Sequence, residues 1–240
     1  MLDKDNINWE KKDFDYYITP KDGKYTHVII FLHGMGDIAQ SYLDFFGNAK
    51  VLPEGVPIKI ILLQSPYNRV IFGRPMGTSW FNISQFPLVS KKCYSFEDAE
   101  ISRKRIEKVI EEEAKLLNGK YENIYLGGFS QGACMSLLIG LTYEHLIGGV
   151  ISLSGYLFSE IKIREENKDL KIFVGHGEAD NVISYLASRE KMKRIENFKG
   201  YRGYSYPGKA HGIFEKEVQD LNKIKKDKQF NIINYKLKLN

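Results

Sequence analysis

The chain is poor in the features that would tie it to a bilayer, an oxidising compartment or a nucleic acid. Two cysteines in 240 residues, Cys93 and Cys134, are too few for a disulfide framework. Cys134 sits in an apolar stretch and reads as a small buried hydrophobe. No apolar run approaches the roughly 18 residues that cross a membrane. The opening residues, Met1 to Glu10, are too acidic and polar for a secretory signal, and Leu2 stands where N-myristoylation requires glycine. The balance of 35 Lys+Arg against 30 Asp+Glu gives a net charge of +5 without a dense basic block, which argues against nucleic-acid binding. Much of that excess lies between Lys216 and Lys238, read as a solvated helix and end, with weak attraction to an anionic membrane surface as the alternative. The expectation is a cytoplasmic protein with at most peripheral membrane contact.

What is present is an ordinary globular composition, 43% hydrophobic and 27% charged. The length suits one α/β domain spanning 1–240. Strand-like segments at 14–19, 25–32, 57–63, 124–129, 149–153, 171–176 and 201–206 alternate with helix-like ones. The helical segments are 39–47, 96–117, 133–146, 182–198 and 213–226. In the 96–117 helix the apolar stripe is Ile101, Ile106, Val109, Ile110, Ala114 and Leu117. Such alternation predicts a mostly parallel central sheet with helices on both faces. Residues 64–95 show no sustained period but hold Tyr67, Phe72, Trp80, Phe81 and Phe86; so long a loop is usually functional.

Gly128-Phe129-Ser130-Gln131-Gly132 falls between a buried strand and an apolar helix. A serine on so sharp a strand-to-helix turn is held in strained backbone geometry with its hydroxyl above the sheet, and both glycines avoid collisions there. This is the nucleophile elbow of an α/β-hydrolase and implies a serine hydrolase. The hydroxyl needs a base and an acid to orient it, in the chain order Ser, Asp or Glu, His. Of five histidines, only His211 lies late, in a turn-rich loop after the last strand; its alternative is an ordinary surface histidine. Glu178 and Asp180 both follow the 171–176 strand, where ligand-facing groups gather. Asp180 is favoured, its alternative being a plain helix N-cap. The oxyanion requires backbone donors: Gln131 N–H, and one from His33 to Asp37, for which Met35 is chosen although Gly34 and Gly36 are not separable from it.

Leu32-His33-Gly34-Met35-Gly36-Asp37, the elbow, Gly175-His176-Gly177-Glu178-Ala179-Asp180 and the late His211 together resemble the acyl-protein thioesterase / phospholipase-carboxylesterase family. Leu63 to Pro66 and Gly77 to Phe81 resemble further stretches of it, so the likeness runs over about residues 25–215 in order. The resemblance implies a single-domain α/β-hydrolase without a large cap, and a triad of Ser130, Asp180 and His211. It also implies oxyanion donors at Met35 and Gln131, and hydrolysis of acyl thioesters and carboxylic esters, including S-palmitoyl groups on proteins, without cofactor or metal. The 64–95 segment would flank an acyl groove, with Trp80, Phe81 and Leu88 as candidate lining or else plain packing.

Asn82, Ala133, Asn181 and Gly212 depart from the family's usual Asp, Gly, Pro and Ser, which touches substrate preference more than activity. Residues 1–20 and the basic tail 227–240 read as additions. The alternatives are a lysophospholipase or small-ester carboxylesterase, a peptidase on the same fold, and a non-catalytic α/β-hydrolase that binds a ligand. A monomer or weak homodimer is expected.

Overall fold

The alternation of apolar side chains to both sides of nearly every strand dictates a sheet buried on two faces. The computed structural model describes residues 7–48, 56–67, 69–71, 74–85 and 93–224. In chain order these form β1 (Ile7–Lys12), β2 (Asp15–Pro20), β3 (His27–Leu32), α1 (Leu43–Asn48), β4 (Ile58–Leu63), β5 (Arg69–Ile71) and β6 (Arg74–Gly77). There follow α2 (Phe96–Leu116), β7 (Ile124–Phe129), α3 (Gln131–Thr142), β8 (Gly149–Leu153), β9 (Ile172–Gly177), α4 (Tyr185–Met192), β10 (Tyr201–Tyr206) and α5 (Glu215–Ile224).

Eight strands make one sheet in the order β1-β2-β4-β3-β7-β8-β9-β10, while β5 and β6 pair as a separate antiparallel hairpin. Strands β3, β4, β7, β8, β9 and β10 are parallel; β1 and β2 join antiparallel at one edge. Val28, Ile30 and Leu32 of β3 enter a core with Ile106 and Ile110 of α2, Leu137 and Leu138 of α3, and Met192 of α4. Ile29 and Phe31 point the other way, to Phe46 of α1 and Leu221 of α5. Helices thus cover both faces, as the sequence predicts.

Helix α2 begins where Ser95 accepts the Asp98 N–H and ends within one residue of its predicted limit. Its stripe is corrected at one position: Ile101 is exposed, and Ala99 and Ser102 face inward instead. Helix α4 starts three residues later than expected, because Asp180 Oδ1 takes the N–H groups of Val182 and Ile183 and holds them outside a helix. Residues 7–20 supply two strands of the sheet; β1 is too polar and exposed to betray itself by alternation. The β5–β6 hairpin likewise falls in the segment without period. Residues 227–240 and Phe72, Phe86 and Leu88 lie outside the described residues.

The tightest packing is at the elbow. A Cβ on Gly132 would lie 1.9 Å from the Leu32 carbonyl oxygen, and one on Gly128 would lie 2.3 Å from the Gly132 carbonyl carbon. Neither neighbour is a side chain that can swing away. Gly132→Ala is therefore expected to cost about 3 kcal/mol or more in urea unfolding, the upper end for overpacking.

Candidate active site

Ligands of open α/β sheets bind beyond the carboxyl ends of the strands. Here β3 runs into the loop His33–Asp37, β7 into Ser130, β9 into Asp180, and β10 into the loop bearing His211. Ser130 has φ 56° and ψ −116°, a backbone conformation costly for a residue with a Cβ. Its N–H donates to Leu153 O at 2.9 Å, which keeps the turn in place.

His211 Nε2 lies 3.0 Å from Ser130 Oγ, and His211 Nδ1 lies 2.7 Å from Asp180 Oδ2. The structure thus brings Ser130, Asp180 and His211 into one hydrogen-bonded row. The loops are locked to each other by Glu178 N–H on Tyr206 O and Ala179 N–H on Lys209 O. Phe129 packs its ring on His211 at 4.8 Å between centroids.

Asp180 also caps backbone, so the two readings of it are compatible: Oδ1 accepts Val182 and Ile183 N–H at 2.9 and 2.8 Å. Burial opposes its ionisation, but the hydrogen bonds from His176, His211 and the Ile183 N–H outweigh burial and hold it well below the usual carboxylate range. The His176 contact was not legible in sequence. His176 is buried, with Nε2 at 2.9 Å from Ile183 O and 3.3 Å from Asp180 Oδ2.

Three N–H groups of the β3 loop compete as oxyanion donors. Gly36 N–H is committed to Thr78 O at 2.8 Å. Gly34 N–H makes no backbone hydrogen bond among the described residues. Met35 N–H, like Gln131 N–H at the first position of α3, has no partner among the described residues. The loop itself is pinned by His33. Ser65 N–H donates to its Nε2 at 3.0 Å, which leaves the proton on Nδ1 for Gly34 O at 2.6 Å. Burial pushes the His33 pKa down, so the ring stays neutral.

The cleft, about 340 Å³, is lined by Met35, Ile83, Phe129, Val182, Ser130 and His211, with backbone of Gly34 to Asp37. Trp80 and Phe81 are corrected here: both are fully buried and absent from its walls. They serve the elbow from behind. Gln131 Oε1 accepts Ser79 Oγ–H and Trp80 N–H, its Nε2 donates to Phe81 O, and Trp80 Nε1 donates to His33 O. Ile83 and Val182 take the lining role instead. The departure at Ala133 is accommodated by Gly155, where a Cβ would lie 2.5 Å from the alanine methyl. Away from the cleft, Glu111, Glu144 and His145 bring ligand atoms within 4.8 Å of one another, but Glu111 already accepts from Tyr121 and Tyr143. Among the described residues, no helix is long and apolar enough to cross a membrane.

A parallel sheet with this elbow, acid loop and late histidine loop defines an α/β-hydrolase. The profile of the phospholipase/carboxylesterase family matches residues 15–226, and the chain belongs to that family, an ester hydrolase by class. The acyl-protein thioesterase 1 of Cryptococcus neoformans is 33% identical over 226 residues, covering 85% of this chain and 92% of the relative. That of Yarrowia lipolytica is 30% identical over 211 residues, 84% and 92%. Among solved structures, Arabidopsis thaliana SOBER1 superposes with a TM-score of 0.72 at 23% identity, over 82% of this chain and 96% of that one. Zea mays acyl-protein thioesterase 2 gives 0.69 at 22%, over 87% and 96%. At these identities the two structures speak for the fold alone.

Because the folded pKa of Asp180 is depressed, its stabilising contribution is complete above the ordinary carboxylate value and lost as the pH falls toward its folded value. Asp180→Asn should therefore be less stable than wild type by about 2 kcal/mol at neutral pH. Urea unfolding should show the gap narrowing below about pH 4.

Proposed function

We propose that the chain is a serine hydrolase that removes acyl groups from protein cysteines, and that Ser130, His211 and Asp180 carry the chemistry. The row Asp180–His211–Ser130, at 2.7 and 3.0 Å, is the observation that supports this most directly. Ser130 Oγ attacks the acyl carbonyl carbon while His211 Nε2 takes the hydroxyl proton. Asp180 keeps the other ring proton on Nδ1 and stabilises the imidazolium without taking that proton. Met35 and Gln131 N–H groups receive the oxyanion; Gly36 N–H is already given to Thr78 O. The intermediate then collapses, the leaving thiolate or alkoxide takes the proton from His211, and water attacks the acyl-enzyme by the same route.

The acyl-protein thioesterase relatives favour S-acylated proteins as substrates. The apolar cleft residues Ile83, Phe129 and Val182 suit an acyl group beside Ser130. The family description favours lysophospholipids or small carboxylic esters as the second reading. A purely binding role would leave the aligned row without a use. Cys93 and Cys134 are buried thiols, which agrees with a reducing, cytoplasmic setting. All these groups come from one chain, so a monomer suffices for the reaction.

Hydrolysis of p-nitrophenyl esters from acetyl to palmitoyl, beside an S-palmitoyl peptide, tests the proposal. Ser130→Ala should lower kcat by about 10⁴-fold or more, and kcat/KM should rise toward long chains and the thioester. Activity confined to short esters would select the small-ester reading. Turnover that ignores Ser130→Ala would sink the assignment.

A further inference from the structure

The last helix opens on a carboxyl group for which the hydrolytic steps have no use. Glu217 is the third residue of α5, and its Oε2 accepts the Phe214 N–H at 3.3 Å. This is the returning half of a capping box, and it fixes the backbone three residues after His211. A surface cap would leave the carboxyl in water. Glu217 is instead 1% exposed, and its Oε1 is buried without a partner. The carboxyl lies against bare backbone of β9: a Cβ on Gly175 would fall 1.8 Å from Oε1. Gly175 directly precedes His176, which touches Asp180. At the other end of the histidine loop, the buried Tyr206 hydroxyl faces Glu217 and Asp220. The Phe214 end of the segment 206–214 is therefore tied to a buried acid that abuts the strand carrying His176.

We infer that Glu217 is a positioning residue for His211: lodged against Gly175, it ties the end of the histidine loop to the strand behind the acid loop and so holds the imidazole within reach of Ser130. The inference rests on the reading of His211 as general base.

Burial pushes the Glu217 carboxyl up to about 8, and only the Phe214 N–H works against it. Among the described residues, the groups around it offer no cation. β10 presents Tyr206, with Tyr204 nearby; β9 presents only the bare Gly175; on α5 the Lys216 and Lys223 ammonium groups are both bound to Asp220. At neutral pH Glu217 is thus a carboxylic acid. The folded chain keeps a proton that an unfolded glutamate releases above its ordinary value, so this group lowers stability as the pH climbs from that value to about 8. Once ionised, the carboxylate has one backbone donor and a buried, unpartnered Oε1, and the loop must shift to solvate it.

The test is kcat and KM for p-nitrophenyl butyrate from about pH 6 to about pH 9.5, on the full chain as wild type, Glu217→Gln, Glu217→Ala and Gly175→Ala, with thermal unfolding alongside. Wild-type kcat should fall above about pH 8. Glu217→Gln, which keeps the shape and the Phe214 acceptor, should retain kcat at neutral pH, lose the alkaline fall, and melt higher than wild type at the alkaline end. Glu217→Ala, and Gly175→Ala with its methyl in the carboxyl's place, should cut kcat about tenfold or more while KM changes less than about twofold. An alanine variant with wild-type kcat, or an alkaline fall that persists in Glu217→Gln, would overturn the inference. Wild type without Ser130-dependent turnover would instead overturn the reading of His211 itself, a different result from an active enzyme indifferent to Glu217.

Discussion

The backbone of α3 touches the end of β3 at Gly132, where a Cβ would sit 1.9 Å from the Leu32 carbonyl oxygen, and every other feature of the site follows from that approach. With the helix start so near the strand end, the chain has a single residue in which to reverse, and Ser130 takes it up with φ 56° and ψ −116°. The same approach starts α3 at Gln131, directly after Ser130, and Met35 of the loop that leaves β3 lines the same cleft as Ser130. The α3 N-terminus adds its partial positive charge where negative charge would develop. Strain at Ser130 is tolerable because the surrounding contacts come from rigid elements: β7 and β8 are hydrogen-bonded neighbours of the sheet, and α3 is buried along nearly its whole length.

Around that contact lies a layer of residues whose work is to leave nothing free to move. His33 spends both ring nitrogens on backbone, Gln131 spends its amide on Ser79, Trp80 and Phe81, and Trp80 returns its indole N–H to His33 O. Each bond is modest, about 1 kcal/mol net. Together they tie the loop after β3 to the helix start through buried groups that would be costly to unpair. Large buried aromatics next to an elbow serine therefore need not line the cleft. Here Trp80 and Phe81 form the backing, and the smaller Ile83 and Val182 meet the cleft.

This distinction explains what the sequence could and could not convey. The elbow, the strand alternation and the order Ser130, Asp180, His211 were legible because each has a local signature: glycine spacing, a two-sided apolar run, or position after a strand. That Gly36 N–H is given to Thr78 O was not, since Thr78 comes from elsewhere in the chain. Nor could spacing tell that Trp80 turns inward, or that His176 reaches Asp180 through a loop that folds back on itself. Polar β1 escaped for a different reason: an edge strand with exposed side chains has no periodicity to show.

Two buried carboxyl groups, one on the loop after β9 and one in the first turn of α5, show how far partners outweigh burial. Asp180 and Glu217 are both removed from water, and burial alone would raise both. Asp180 collects two backbone N–H groups and two imidazoles, and those donors win by a wide margin. Glu217 has one backbone N–H and, across from it, a glycine with nothing to offer, so desolvation wins. The contrast is set by backbone course. The turn after β9 folds its amides toward Asp180, whereas α5 spends its later amides on its own helix and can spare Glu217 only the one at its N-cap. A fixed negative charge beside His211 and a protonated acid behind its loop are therefore produced by the same side-chain chemistry, sorted by which strand end or helix start supplies the donors.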